Sequence, residues 1–282
     1  MAIGFAQHAG RDARMTGLLR HSSGQWVELA QNLRHQFAAR FALVHYASGA
    51  VYSYIPKNAC STLRYSLARA NGAISKPEDF GWIHANNPTF AASLRDLATA
   101  PFSFVVLRCP FARLASAFLD KFVAKGPEAW ALRRLDHDRI DLDQLTFRQF
   151  TELLANPKLR QSNPHWRPQE DFLVYDTYSA VYAFEDFEAA AHSIQANTGL
   201  QVHDARDLSA HGLNAMQPKA GAFTDTPVHQ LAAMRRSNEA PLPSALYDAD
   251  TVKAIARHYV ADIALYSCHF GTANLMFEAV SD

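Results

Sequence analysis

The sequence predicts an α/β protein with a central, mostly parallel β-sheet flanked by helices. Three observations predict it. Phe102-Ser103-Phe104-Val105-Val106-Leu107-Arg108 is almost continuously apolar, the pattern of a strand buried on both faces. That run and Val51–Ile55 each stop at a proline-containing loop that opens into a segment of helical spacing. Further along, strands and helices keep alternating, an order that favours one α/β domain over all-β or all-helical layers. Residues 1–40 read as an N-terminal helical extension and 41–282 as a single domain.

Trp26, Leu29, Leu33 and Phe37 recur at helical spacing and predict an amphipathic helix with a core-facing stripe. Phe41–Tyr46 and Val51–Ile55 flank Ser48-Gly49 and predict a hairpin. After Pro56 and Lys57 a helix runs to about Asn71. Ser61 or Thr62 is its expected cap, Leu63 and Leu67 mark its buried side, and Gly72 stops it. Residues 73–90 look irregular, and a short helix follows at Ala91–Leu97.

Pro110 suits the first turn of a helix that carries Phe111, Leu114, Phe118 and Phe122 on one face. Thr146-Phe147-Arg148-Gln149 is a capping box opening a helix to about Ala155. Tyr178–Phe184 reads as a strand. Glu185-Asp186 caps the helix after it, which Gly199 closes. Residues 201–245 read as a long surface excursion, and Ala249–Tyr266 as one continuous helix.

Composition excludes several classes of function. Hydrophobic residues make up 49% and charged residues 19%, which calls for a packed core and excludes general disorder. The formal net charge of +0 argues against a nucleic-acid binder, which carries a basic excess. Cys60, Cys109 and Cys268 are widely spaced and suggest free thiols, with neither a disulfide framework nor a zinc site. No apolar run is long enough for a transmembrane helix, and Met1–Gly24 lacks the apolar core of a secretory signal.

The chemistry concentrates at two strand-to-helix junctions. The first is Ile55-Pro56-Lys57-Asn58-Ala59-Cys60-Ser61-Thr62. Backbone N–H groups at a helix start, together with a lysine, form a site for a phosphate-like anion. It is not a Walker A loop, because the G-x-x-x-x-G-K-[ST] spacing is missing. The second junction has Arg108 at the strand end and Ser116 one to two turns into the following helix.

These motifs resemble the carbohydrate sulfotransferases, the Golgi-type family that sulfates chondroitin, dermatan and related glycans. Residues 55–62 look like that family's 5′-phosphosulfate loop. Leu107–Phe122 looks like its 3′-phosphate motif, which usually reads Arg-acidic-Pro-Phe, then Arg-Leu, Ser-Ala and Asp-Lys-Phe. His165-Trp166-Arg167-Pro168-Gln169, Tyr182–Phe187 and His258–Tyr266 are similar to three further signatures, in the same order. The resemblance runs from about residue 42 to 267. Cys109 departs from it by replacing the usual acidic residue after Arg108.

The resemblance implies a P-loop-like sulfotransferase fold and the donor 3′-phosphoadenosine 5′-phosphosulfate, with no metal. Pro56, Lys57, Asn58, Ala59, Cys60, Ser61 and Thr62 would hold the 5′-phosphosulfate, and Arg108 and Ser116 the 3′-phosphate. Lys57 would also stabilise the leaving oxygen. Sulfuryl transfer to an alcohol needs a base. His84 is the first candidate, because it lies between the two phosphate motifs, and His165 is its rival. The implied acceptor is a hydroxyl of a glycan.

The family's membrane anchor, stem and disulfide cysteines have no counterpart, so a soluble, bacterial-type cytoplasmic enzyme is expected. Two other readings stay open at this point. One is a nucleotide kinase or NTPase with a degenerate P-loop, which the missing glycines disfavour. The other is a non-catalytic nucleotide-binding protein of the same fold.

Overall fold

The computed structural model describes residues 17–22, 27–206, 208 and 216–277. The predicted α/β architecture is present. Four strands lie side by side in sequence order. Strands β1 (Ala42–His45) and β2 (Ala50–Ser53) form the expected antiparallel hairpin, with Val44 opposite Val51. Gly49 closes its turn at φ 69°, a conformation that glycine adopts without a Cβ clash. Strand β3 (Ser103–Leu107) runs parallel to β2, and β4 (Ala180–Ala183) runs parallel to β3. β3 is the inner strand expected from its almost continuously apolar sequence, and all five of its residues are buried.

The N-terminal stripe does not form one helix. Trp26 lies outside the described residues. A 3-10 turn at Leu29–Gln31 stops at Asn32, which caps helix α1 (Leu33–Ala39) by accepting from the N–H groups of Arg34 and His35. Leu33 is 78% exposed, so it is not core. Phe37 packs instead on Phe41 and Phe172.

Helix α2 (Cys60–Ala70) follows β2, burying Leu63 and Leu67 and ending before Gly72 as expected. α3 (Trp82–Ala85) and α4 (Leu94–Thr99) occupy the segment between β2 and β3. α4 starts three residues later than expected, because Ser93 and Asp96 form a capping box.

Helix α5 (Pro110–Lys121) leaves β3 and buries Phe111, Leu114 and Phe118. α6 (Pro127–Leu135) follows it, and α7 (Phe147–Leu153) opens at the predicted Thr146–Gln149 box. Asn156 stops α7 but also caps a further turn, α8 (Pro157–Arg160). After β4, α9 (Phe187–Thr198) ends at Gly199 with φ 73°.

Two late expectations change. The excursion holds secondary structure: β5 (Gln217–Lys219) pairs in parallel with β6 (Glu239–Pro241), on either side of α10 (Val228–Arg236). The last helix is two, α11 (Ala249–His258) and α12 (Val260–Phe270), with Tyr259 out of helical geometry between them. The buried Tyr259 hydroxyl donates to the carbonyl of Trp166 at 2.6 Å, so a tertiary bond holds the break. Among the described residues no helix is long and apolar enough to cross a membrane.

Candidate active site

β2 and β3 are parallel neighbours, so the loops at their C-terminal ends emerge side by side. That adjacency brings the two junctions together. In the first loop Lys57 and Ala59 both take left-handed backbone conformations, with φ of 75° and 55°. Such turns gather successive N–H groups into a concavity that suits an anion. Ala59, and not Ser61 or Thr62, occupies the cap position of α2 and makes no side-chain cap bond. The expected hydroxyl cap is therefore absent. Cys60, Ser61 and Thr62 form the first turn of the helix, where N–H groups have no intrahelical partner.

Buried side chains fix the junctions to each other. Arg108 Nη1 donates to the Lys57 carbonyl at 2.9 Å, and the guanidinium stacks over Phe184 at 4.2 Å. Asn58 is fully buried, and its amide donates to the Val106 carbonyl and to Gln169 Oε1. Its side chain thus holds the loop to the sheet. Gln169 also accepts from the Arg108 N–H and donates to the Arg108 carbonyl, clasping that peptide from both sides. Asp262 on α12 accepts the N–H groups of Gln169 and Glu170.

Arg113 is the buried clamp of the site. It donates to the carbonyls of Pro56, Arg167 and Pro164 at 3.0, 2.7 and 2.9 Å. One side chain therefore ties the Lys57 loop to the loop that carries His165. Arg113, Gln169 and Asp262 lie inside the motifs quoted from the sequence. Membership of those motifs was the signal in the sequence, and it did not say which carbonyls and N–H groups these side chains would meet.

Glu185 corrects another expectation. It does not cap α9. Its carboxylate accepts the Cys109 N–H at 2.9 Å and the Tyr266 hydroxyl at 2.8 Å. A carboxylate therefore stands beside Cys109, brought from the end of β4. Cys109 is buried, its thiol pushed up by burial, and Cys60 is a half-buried free thiol.

A row of charges runs through the site. Lys57 Nζ lies 3.0 Å from Asp120 Oδ2, and Lys121 Nζ lies 3.2 Å from the same oxygen. Lys121 also reaches Glu128 Oε1 at 3.1 Å, and His165 Nδ1 lies 3.7 Å from that oxygen. Burial lowers the pKa of Lys57, with Asp120 opposing it. Burial would raise the Asp120 carboxyl, but Lys57 and Lys121 hold it below its ordinary value. Burial likewise lowers Arg108 to about 10, against the pull of Glu185.

The two histidines differ in setting. His165 sits in the row of charges. Burial, then Lys121 and Lys57, holds its pKa well below 6.5, so the ring is neutral near pH 7. Asn163 Oδ1 accepts the backbone N–H of His165 at 3.0 Å and lies 2.8 Å from its Nδ1. An amide oxygen only accepts, so Nδ1 carries the proton and Nε2 keeps a lone pair. His84 is exposed on α3 with its ring edge against Phe80. Ser116 lies half-buried along α5.

A model described as "Sulfotransferase family" matches residues 42–268. The chain belongs to the sulfotransferase family. Its matched span agrees with the stretch over which the motifs resemble the carbohydrate sulfotransferases. The chain is also similar to carbohydrate sulfotransferase 14 of Danio rerio, 26% identical over 176 residues. That match covers 54% of this chain and 47% of the relative, so the chain spans about half the length of the curated relative it matches. No solved structure matches the chain.

Proposed function

We propose that this sulfotransferase-family protein moves a sulfuryl group from 3′-phosphoadenosine 5′-phosphosulfate to a hydroxyl of a carbohydrate. The observation that carries this reading is the 2.9 Å bond from Arg108 to the Lys57 carbonyl. It couples two cationic strand-to-helix junctions, one for each anionic end of such a donor. The site residues suit anions: Lys57 and Arg108 are cations, the first turn of α2 offers N–H donors, and Arg108 Nε is buried with no hydrogen-bond partner among the described residues. Ser116 supplies a hydroxyl on the Arg108 side.

In the proposed reaction His165 Nε2 takes the proton of the acceptor hydroxyl. The acceptor oxygen bonds to sulfur as the bond from sulfur to the 5′-phosphate oxygen breaks. The electron pair of that bond stays on the phosphate oxygen, whose growing charge Lys57 and the α2 N–H groups stabilise. What supports His165 as the base is its neutral ring, its Nε2 lone pair and its row of contacts leading to Lys57. His84 remains the alternative base.

Two measurements test the reading. In calorimetric titration, adenosine 3′,5′-bisphosphate should bind, and ATP with magnesium should not compete. ATP binding with no bisphosphate binding would favour the nucleotide-kinase reading and sink this one. Radiolabelled sulfate transfer over a panel of glycans should then find an acceptor. Binding without transfer to any acceptor would leave the non-catalytic reading.

A further inference from the structure

Asp120 lies in the last turn of α5, with only 9% of its side chain exposed. Both lysines meet it on one oxygen, Oδ2, at 3.0 and 3.2 Å. Lys57 is itself largely covered, with 19% of its side chain exposed. A covered ammonium without a counter-charge favours the neutral amine, which stabilises a leaving anion poorly.

We propose that Asp120 is the positioning residue for Lys57: it fixes the Lys57 ammonium through the 3.0 Å contact and keeps it cationic. Lys121 competes for the same oxygen and is drawn away by Glu128 at 3.1 Å, so the share of Asp120 given to Lys57 is set by the row as a whole. The charged and titratable groups facing Lys57 are Asp120 and Lys121 from α5 and Cys60 from α2. His165, from the neighbouring loop, also feels Lys57, Lys121, Asp120 and Arg113. Asp120 attracts both ends of the row, raising the proton affinity of Lys57 and of His165 together. This inference rests on the proposed sulfuryl transfer for its catalytic meaning, but not for the ion pair itself.

The test reads Lys57 directly in the ligand-free protein. Only the neutral amine is acylated, so the rate of Lys57 acetylation by acetic anhydride across pH, followed by mass spectrometry, reports its proton affinity. Removing a counter-charge at this distance shifts a pKa by about one unit or more. Asp120→Asn should therefore acetylate about tenfold faster than wild type at a pH below the Lys57 midpoint. Asp120→Glu should restore the slow profile.

Lys121→Gln should shift the profile the other way, because it releases the shared oxygen to Lys57. An unmoved Lys57 profile in Asp120→Asn overturns the proposal, as does an equal shift in Asp120→Glu. If Asp120→Asn does not fold, an unmoved profile in Lys121→Gln overturns it instead. In transfer assays the alkaline limb of the pH–rate profile should fall to lower pH in Asp120→Asn, whereas a merely structural defect would scale the whole profile down. Absent transfer by the wild-type protein would count against the proposed function, while the acetylation profiles would still decide the pairing.

Discussion

The guanidinium of Arg108 donates to the backbone carbonyl of Lys57 at 2.9 Å. The two residues are far apart in sequence, yet each ends a strand of one parallel pair. The bond ties the two strand-to-helix junctions together, so that damage to one is expected to be felt at the other.

Lys57→Ala should lower the rate of sulfate transfer by roughly 100-fold or more, the scale seen when one preorganised stabiliser of a transition-state charge is removed. Affinity for adenosine 3′,5′-bisphosphate should fall much less. Arg108→Ala should do the reverse in part, weakening bisphosphate binding strongly in calorimetry. Full transfer activity in either variant would sink the site assignment.

His165→Ala should cost roughly 100-fold or more in turnover with near-normal bisphosphate affinity, as for loss of a general base. His84→Ala should leave turnover within a few-fold of wild type. The opposite pair of results would move the base to the exposed side of α3.

Arg113→Met should destabilise the fold by about 3 kcal/mol, because three carbonyls lose a buried charged donor. Urea unfolding with an unchanged slope would measure it. A midpoint equal to wild type would mean that water replaces the clamp without loss.

Stability should fall as the solution is acidified below about pH 6.5. His165 has a folded-state pKa well below its ordinary 6.5, and His21, His35 and His45 are lowered in the same direction by burial. Asp262, raised to about 6 by burial, takes up a proton in the folded state and works the other way, but His203 and His258 are lowered as well. On balance the unfolded chain takes up protons in this window that the folded chain refuses, so the histidines' contribution is present above 6.5 and lost as the pH falls. Melting temperatures across this range check it, and His165→Gln should flatten the dependence. A melting temperature constant from neutral pH to about pH 5 would contradict it.

Much of the fold was legible because local patterns carry it. The apolar, β-branched run Phe104–Leu107 favours a strand inside a sheet, and Gly49, Gly72 and Gly199 stop elements where a left-handed residue is needed. The errors came where a tertiary contact overrode a local pattern. The Asn32 cap cut the N-terminal stripe, and Tyr259 broke the last helix by reaching Trp166. Ser61 and Thr62 look like caps, but the left-handed turn at Ala59 starts α2 earlier.

For the site, the sequence by itself determined the residue types and their order: a lysine after β2, an arginine after β3, a histidine before the buried Trp166. Spacing and charge are local properties and survive in a string of letters. Only the tertiary structure decided which charges meet. Asp120 faces Lys57 because α5 packs back across the first loop, and Glu185 reaches Cys109 because β4 lies beside β3. His165 gains its neutral ring and fixed tautomer from burial and from Asn163. Ion pairing and desolvation depend on distances through space, and distances across a sheet are not written in distances along a chain.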